Sequence, residues 1–280
     1  MNIQTALNQA NQKLKKNNIF SYKLDSEILM SNVVKKERDY VILNSNMNLT
    51  NSQLTNYRKL ITERSKGKPI SYLVGKKEFW KYEFYIEEGV LIPRPDTEVV
   101  IEKALELTKN KSKLKLLEVG VGSGCIILSL LKEKKDFYGT GIDISKKCID
   151  ISKINSNKLG IKNRVKFFKT DVDNFNRGKY DLIISNPPYI KKLDLKYLEK
   201  DVATFEPKIA LNGGLEGISE IRKVINKSSE LIKIGGKLIL EIAFDQKNEV
   251  IKLLKERGFF INKTSKDLAK NDRCIISTKI

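Results

Sequence analysis

The feature of this sequence that most constrains its fold is a regular alternation of strand and helix patterns that begins after Val90. Short apolar runs alternate with longer stretches whose apolar residues recur at helical spacing. The strands are predicted at 115–119, 139–144, 165–170, 180–185, 237–242 and 275–279, and the helices at 97–107, 125–132, 146–158, 219–231 and 247–257. This alternation predicts an α/β domain with a parallel, doubly wound sheet.

The chain before this region has helical patterns and no strand signal. Ala6, Ala10 and Leu14 share one helical face, and Thr50 followed by Gln53 predicts a capping box at the start of another helix. An aromatic, alternating stretch after Lys76 then indicates a hairpin. The sequence therefore predicts a small N-terminal helical domain at 1–75, a hairpin linker at 76–90 and an α/β domain at 91–280.

The composition excludes several kinds of chemistry. The 280 residues include no histidine, which rules out Ser-His and Cys-His nucleophilic pairs and most zinc sites. The 3 cysteines are far apart in sequence, so neither a disulfide framework nor a metal site is expected. No apolar run is long enough to cross a bilayer, and the first residues lack a secretory signal, so we expect a cytoplasmic protein without a membrane partner.

The charge of the chain leaves two interpretations open. With 53 basic and 34 acidic residues, the net charge is +19 and the pI is near 9.6. Such a charge favours contact with nucleic acid or ribosomal particles, so direct nucleic-acid binding is possible but not required. The lysines are scattered through every predicted helix and loop, which is equally typical of a compositional bias.

A glycine-rich loop joins the first strand of the α/β region to the next helix. It consists of Gly120, Val121, Gly122, Ser123 and Gly124. Glycines are needed where a strand turns tightly into a helix and a ligand lies against bare backbone, although a purely structural turn also produces this pattern. The position between strand and helix favours a nucleotide-type cofactor.

Acidic residues follow the next two strands. Asp143 lies about 20 residues beyond the glycines, where such folds bind a ribose hydroxyl pair. Its alternative role is to cap the following helix, which Ser145 could do instead. Asp171 could hydrogen-bond an adenine amino group and Val172 could pack on the ring, or both could simply end the third strand.

The fourth strand runs directly into the loop Asn186, Pro187, Pro188, Tyr189. The prolines remove two backbone donors, so the loop is rich in acceptors. If the Asn186 side-chain oxygen and the Pro187 carbonyl accept the two hydrogens of an amide or amine nitrogen, its lone pair can face a sulfonium methyl. Tyr189 would supply an aromatic wall. We therefore predict N-methylation with S-adenosyl-L-methionine as cofactor, although a rigid turn could also produce this motif.

The chain resembles the protein-(glutamine-N5) methyltransferases that modify peptide chain release factors. The resemblance spans nearly the whole chain and is carried by residues 91–98, the loop 120–124, residues 186–190 and residues 205–214. The Asn-Pro-Pro-Tyr motif is shared with adenine-N6 and guanine-N2 methyltransferases, so it indicates only the chemistry. The segments Ile-Pro-Arg-Pro-Asp-Thr-Glu and Phe-Glu-Pro indicate the family.

The resemblance implies a class I (Rossmann-like) methyltransferase domain with a small N-terminal helical domain that helps hold the release factor. It implies class-1 release factors as partners and methylation of the glutamine of their Gly-Gly-Gln motif. Separately, we expect the chain to be a monomer. Glutamine would be bound by residues 186–189, and cofactor by residues 120–124, Asp143, Val172 and Asn186. Departures from the family pattern are Glu118, Val121, Val172 and Ala243.

Two alternative functions remain at this point. The first is N6-adenine methylation of DNA or RNA, which the positive charge favours, although no target-recognition domain is recognisable. The second is a non-catalytic RNA- or ribosome-binding protein with a degenerate methyltransferase fold, against which the intact glycine and Asn-Pro-Pro-Tyr loops argue.

Overall fold

The computed structural model describes residues 1–280 and contains two compact units. The first consists of Met1–Lys76 and Glu199–Phe205, and the second of Lys77–Leu198 and Glu206–Ile280. None of the helices combines the length and apolar character that a membrane span requires. Cys125, Cys148 and Cys274 are free and buried.

The first unit is helical, as the sequence predicts. Its helices are α1 (Ile3–Lys16), α2 (Tyr22–Val34), α3 (Arg38–Leu43), α4 (Asn51–Ser65), α5 (Ile70–Val74) and, from further along the chain, α9 (Lys200–Phe205). The predicted apolar face of α1, Ala6, Ala10 and Leu14, is buried in the core of this unit.

Local polar contacts define the helices of the first unit. The predicted capping box of α4 is present: the Gln53 amide donates to Thr50 Oγ1 at 3.2 Å, and the Thr50 amide donates to Gln53 Oε1 at 2.9 Å. A buried ion pair joins α4 to α2, because Arg64 Nε lies 2.6 Å from Asp25 Oδ2. Buried charges require such a partner, so this pair specifies how the two helices pack.

Strands β1 (Lys76–Phe79) and β2 (Tyr82–Tyr85) form a hairpin, all of which except Lys76 belongs to the second unit. It is followed by the strands β3 (Lys115–Val119), β4 (Tyr138–Asp143), β5 (Val165–Lys169), β6 (Tyr180–Ser185), β7 (Ile232–Glu241), β8 (Phe259–Lys266) and β9 (Asp272–Lys279), and by the helices α6 (Glu98–Leu107), α7 (Cys125–Glu133), α8 (Lys146–Lys158), α10 (Ser219–Leu231) and α11 (Lys247–Glu256). The predicted α/β class is therefore confirmed.

The large sheet has seven strands in the order β5-β4-β3-β6-β7-β9-β8. Strands β3 to β7 pair in parallel, whereas β9 runs antiparallel to both β7 and β8. The chain proceeds outward from β3 to β5 and then returns to the other side of β3 with β6. In such sheets a ligand crevice forms where the strand order reverses, at the carboxyl ends of the strands.

The structure corrects the sequence prediction at one end of this sheet. No strand is predicted at 259–266 from the sequence, but β8 lies there at the sheet edge and pairs only with β9. Strand β7 also begins at Ile232 rather than at 237, and its register against β6 shifts between Tyr180 and Leu182. Its first part includes Gly235 and Gly236, a pair that is typical of a turn.

Candidate active site

The glycine loop turns sharply between β3 and α7. Gly120, Gly122 and Gly124 all have positive φ, at 74°, 54° and 82°. The Gly120 and Val121 amides both donate to the Ile142 carbonyl, at 2.9 and 3.0 Å, which ties the loop to β4. Residues with a Cβ atom rarely adopt positive φ, so the conformation of the turn itself requires glycine at these three positions.

A cavity of about 430 Å³ opens beside this loop. Its volume is within the range of small-molecule sites. The carboxyl ends of β3, β4, β5 and β6 all contribute to its lining, which places it at the crevice that the strand order predicts. The residues predicted for cofactor or substrate that line it are Gly120, Gly122, Asp143, Asp171, Val172, Asn186, Pro187 and Pro188.

The Asp143 carboxylate faces this cavity and is held by backbone donors. Its Oδ2 accepts from the Gly122 amide at 2.9 Å and its Oδ1 from the Ser145 amide at 2.9 Å. Burial raises the pKa of this carboxyl, and the two amide donors oppose that effect. Ser145, not Asp143, caps α8 by accepting from the Cys148 amide at 3.3 Å. The Asp143 side chain thus does not cap α8, and it lines the cavity.

Asp171 and Val172 form the cavity wall at the end of β5. Asp171 Oδ1 accepts from the Asp173 amide at 2.9 Å, which leaves the second carboxylate oxygen for another donor. Val172 is buried and packs in the main core of the unit. A carboxylate beside an apolar surface suits a ring that carries an amino group.

Asn186 is oriented from behind by a threonine. Its Nδ2 donates to Thr97 Oγ1 at 3.2 Å, and Thr97, in a short 3-10 turn before α6, is buried. Ser185 Oγ donates to the Val119 carbonyl at 2.8 Å, which joins the ends of β6 and β3. One hydrogen of Nδ2 is therefore directed at Thr97, and Oδ1 lies on the other branch of the Asn186 amide.

Tyr189 turns inward, toward a buried carboxylate. Its hydroxyl donates to Glu241 Oε1 at 3.2 Å, and its ring packs against the core. Burial raises the pKa of Glu241 to about 7, while hydrogen bonds from Thr97 and Tyr189 and the charge of Arg273 oppose that rise. Burial and the Glu241 carboxylate also raise the pKa of Tyr189, so its phenol is un-ionised at neutral pH.

The backbone after the two prolines is fixed by a glutamine and by glycines. Gln246 Nε2 donates to the carbonyls of Tyr189 and Gly217, both at 3.0 Å. A Cβ at Gly213 would lie 2.8 Å from the Pro188 carbonyl oxygen and 2.7 Å from that of Gly217. The glycine-rich segment around 213 therefore packs directly on the proline loop and leaves no room for a side chain.

The two segments that carry the family resemblance are joined by a buried carboxylate. Glu206 Oε1 lies 2.5 Å from Arg94 Nη2, and its Oε2 accepts from the Ile92 amide at 3.2 Å. Glu206 is only 5% exposed, so this pairing holds the two segments together from within. Pro207, next in the chain, lines the cavity.

The remaining predicted residues are not among those that line the cavity. Val121 and Ser123 are buried, Gly124 is the N-cap of α7, and Tyr189 faces Glu241. The sequence patterns do not indicate that Thr97, Glu241 and Arg273 form a group. Thr97 belongs to the segment 91–98 that carries the family resemblance, and Glu241 is a carboxylate that interrupts an apolar strand, as Glu118 does in β3.

Comparison with known proteins identifies the family. The model of the PrmC N-terminal domain matches residues 5–75, and that of the methyltransferase small domain matches residues 97–204. A release factor glutamine methyltransferase of Clostridium acetobutylicum is 39% identical over 100% of this chain and 99% of its own length. This chain belongs to the release factor glutamine methyltransferase family. A relative of the same name from Buchnera aphidicola is 37% identical, with coverage of 100% and 99%.

The fold also matches solved methyltransferases. The ribosomal protein L11 methylase of Lactobacillus delbrueckii aligns with a TM-score of 0.51 at 18% identity, over 72% of this chain and 89% of that chain. At that identity the likeness concerns the fold alone. Together with the family match it establishes the predicted Rossmann-like methyltransferase domain, and the chain is an enzyme of the methyltransferase class.

Proposed function

We propose that this enzyme transfers a methyl group from S-adenosyl-L-methionine to the side-chain amide nitrogen, N5, of the glutamine in the Gly-Gly-Gln motif of class-1 release factors. The observation that carries the proposal is the placement of the Asn186–Pro188 acceptor loop in the same cavity as Asp143 and the glycine loop. A release-factor substrate also implies that the enzyme acts in the cytoplasm, where translation terminates.

The cavity suits a nucleoside cofactor at its glycine side. Gly120 and Gly122 expose backbone there, and the Asp143 carboxylate is available to accept the hydrogens of two vicinal ribose hydroxyls. Asp171 and Val172 offer an acceptor and an apolar surface for the adenine. The Asp143 carboxylate is already fixed by two backbone amides, so its side chain loses little conformational freedom when the ribose binds.

The proline side of the cavity suits a planar nitrogen with two hydrogens. Asn186 directs its amide nitrogen at Thr97 and so carries Oδ1 on the other branch of the amide, and the Pro187 carbonyl is the adjacent backbone acceptor. These two oxygens would hold the glutamine amide and turn its lone pair toward the cofactor. The cofactor supplies a methyl group already activated by positive sulfur, so positioning is the main contribution of the protein.

The reaction needs no strong base at the nitrogen. As the nitrogen–methyl bond forms, the sulfur–methyl bond breaks, and the nitrogen then loses a proton to solvent. Acceptor oxygens that face the developing positive charge on nitrogen stabilise it as it forms. This agrees with a chain that contains no histidine.

Incubation of the purified chain with S-adenosyl-L-methionine and purified release factor tests the proposal. Peptide mapping by mass spectrometry should find one added methyl group on the glutamine of the Gly-Gly-Gln peptide. An unmodified peptide, or label that appears only in added DNA or RNA, would contradict the proposal. A release factor in which this glutamine is replaced by alanine is the matched control.

A further inference from the structure

One amide side chain of α8 is completely buried against two other segments of the second unit. Asn155 is 0% exposed. Its Oδ1 accepts from the Tyr85 amide at 2.7 Å, and its Nδ2 donates to the Tyr85 carbonyl at 3.0 Å and to the Ser123 carbonyl at 2.9 Å. The oxygen and both hydrogens of this amide are therefore bound to backbone groups outside α8.

The first of the two segments leads into the cavity wall. Tyr85 is the last residue of β2, and Gly89 and Leu91, which follow shortly after it, line the cavity. Asn155 pairs with both backbone groups of Tyr85, as a neighbouring strand would. Val90 is buried in an apolar cluster with residues of α8. Helix α8 thus determines where this part of the wall begins.

The second segment is the glycine loop. Asn155 binds the Ser123 carbonyl, and Ser152, one turn earlier in α8, donates from its Oγ to the Gly122 carbonyl at 3.0 Å. The Gly122 amide donates to Asp143, so side chains fix both backbone groups of this cavity-lining glycine. Glycine has more backbone freedom than any other residue, and these bonds restrict it before a ligand binds.

Asparagine suits this position because of its hydrogen-bonding groups. The Tyr85 amide needs an acceptor, and the carbonyls of Tyr85 and Ser123 each need a donor. A side-chain amide offers an acceptor and two donors, whereas a hydroxyl has one hydrogen to donate and a carboxylate has none. A buried polar group whose bonds are all made favours one arrangement of its neighbours.

We propose that Asn155 is a positioning residue of the cofactor site, because it fixes the segment after Tyr85 and the glycine loop relative to each other. Ser152 supports the glycine side of this arrangement. Neither Asn155 nor Ser152 lines the cavity, so both act through the backbone that does. The inference rests on the cofactor site of the proposed function. A cofactor that meets two walls already in place orders less of the protein when it binds, and it binds more tightly.

Asn155→Ala and Ser152→Ala test the proposal through the Kd for S-adenosyl-L-methionine, measured by isothermal titration calorimetry. Asn155→Ala should raise this Kd about 10- to 50-fold, because binding must then order both walls. Ser152→Ala removes a single bond, and we expect a rise of about three- to tenfold. At saturating cofactor, kcat should stay within about threefold of wild type, because Asn186 is oriented from Thr97 and not from α8.

Hydrogen-exchange mass spectrometry of the free chain provides a second readout. Asn155→Ala should speed exchange both in peptides that contain Tyr85 and in peptides of the glycine loop, whereas Ser152→Ala should affect only the glycine loop. A side chain that stabilised α8 alone would change exchange in α8 alone. Unchanged exchange around Tyr85 in Asn155→Ala would overturn the proposed link between the two segments.

Ser156→Ala and Leu254→Ala are the matched controls. Ser156 is also buried in α8, but its hydroxyl donates to the Lys153 carbonyl of the same helix at 2.8 Å. Leu254→Ala removes buried apolar contacts of α11, and so shows how a general loss of packing affects the Kd. Both variants should bind S-adenosyl-L-methionine with a Kd within about twofold of wild type.

The possible results separate the inference from the function on which it rests. A wild-type Kd in Asn155→Ala, or an equal rise in Leu254→Ala, would overturn the inference and leave the proposed function intact. Failure of the wild type to bind S-adenosyl-L-methionine would refute the proposed function, and the inference with it. If Asn155→Ala does not fold, Ser152→Ala decides, and a wild-type Kd in that variant would overturn the inference.

Discussion

Asn186 is the residue at which the cavity, the proline loop and the Thr97 contact meet. Asn186→Ala removes the side-chain acceptor for the substrate nitrogen but leaves the glycine loop and Asp143 in place. We expect kcat to fall about 10²- to 10³-fold, the usual effect of losing one positioned hydrogen bond to a developing charge. Methyl transfer to release factor with labelled cofactor measures the loss, and calorimetry should still detect weakened cofactor binding.

The control for this variant is Asn110→Ala. Asn110 is exposed and lies in the connection before β3, at the strand end opposite to the one that lines the cavity. Normal turnover in Asn186→Ala would contradict the assigned role. Loss of turnover in both Asn186→Ala and Asn110→Ala would show that the assay detects a loss of protein stability and not a specific effect on methyl transfer.

Asp143 should determine affinity for the cofactor and not the rate of transfer. Asp143→Asn keeps the shape of the side chain but removes the charge that strengthens hydrogen bonds from ribose hydroxyls. We expect the Kd for S-adenosyl-L-methionine to rise about 10- to 100-fold, which corresponds to about 1.5–3 kcal/mol for a hydrogen bond to a charged group. Isothermal titration calorimetry gives the Kd directly.

Asp136→Asn is a matched substitution outside the cavity. Asp136 Oδ2 accepts from the Lys113 amide at 2.8 Å, so this carboxylate also binds backbone. Its replacement should leave the cofactor Kd unchanged. Equal Kd values for Asp143→Asn and wild type would exclude Asp143 from cofactor binding.

At the scale of elements, α2 and α4 depend on the ion pair between Asp25 and Arg64. The two side chains are 6% and 11% exposed, so Asp25→Ala leaves the buried guanidinium without its carboxylate partner. We expect a loss of about 3–5 kcal/mol in the stability of this helix pair. Hydrogen-exchange mass spectrometry should show faster exchange in peptides from α2 and α4, with the strands of the large sheet unaffected.

An exposed ion pair in the same unit provides the comparison. Glu27 and Arg38 form a contact at 3.2 Å with exposed fractions of 27% and 50%. Glu27→Ala should cost less than about 1 kcal/mol, because solvent screens this pair. Similar exchange rates in Asp25→Ala and Glu27→Ala would show that the buried pair does not hold the helices together.

The elements that the sequence predicts are those with a strong local pattern. Strands β3 and β6 are apolar runs buried in the sheet. The capping box of α4 lies within four consecutive residues, so it can be recognised from the sequence. Strand β8 has no such pattern: after two phenylalanines it contains Asn262, Lys263 and Thr264, because an edge strand has one neighbour and faces solvent. Its existence depends on pairing with β9, which no local pattern reveals.

The same distinction explains which parts of the site could be predicted. The glycine loop and the proline loop are contiguous in sequence, so their residue types indicate their chemistry directly. Thr97, Glu241 and Arg273 come from three separate elements and meet only because β7 pairs with β9 and the turn before α6 lies beside β6. Contacts of this kind follow from topology and not from spacing along the chain.

At the scale of the whole molecule, the absence of histidine leaves few groups that titrate near neutral pH. Glu241 is one of them, because burial raises its pKa from 4.5 to about 7. Thr97, Arg273 on β9 and Tyr189 oppose this rise, whereas Asp96 before α6 adds to it.

The pKa of Glu241 predicts how stability changes with pH. Between pH 4.5 and 7 the unfolded chain has lost this proton, whereas the folded chain retains it. The folded state then binds more protons, so stability falls as pH rises through this window. Above pH 7 the buried carboxylate costs about 3 kcal/mol, on the basis of about 1.4 kcal/mol per pKa unit.

Glu241→Gln, which cannot ionise, isolates this contribution from those of the buried carboxyls of Glu118 and Asp143, whose pKa values are also raised by burial. Urea unfolding of both proteins should give equal stabilities at pH 4. At pH 8 the glutamine variant should be the more stable by about 3 kcal/mol. A stability difference that does not change between these pH values would mean that Glu241 ionises alike in the folded and unfolded chain, and that its carboxylate is better solvated than its burial indicates.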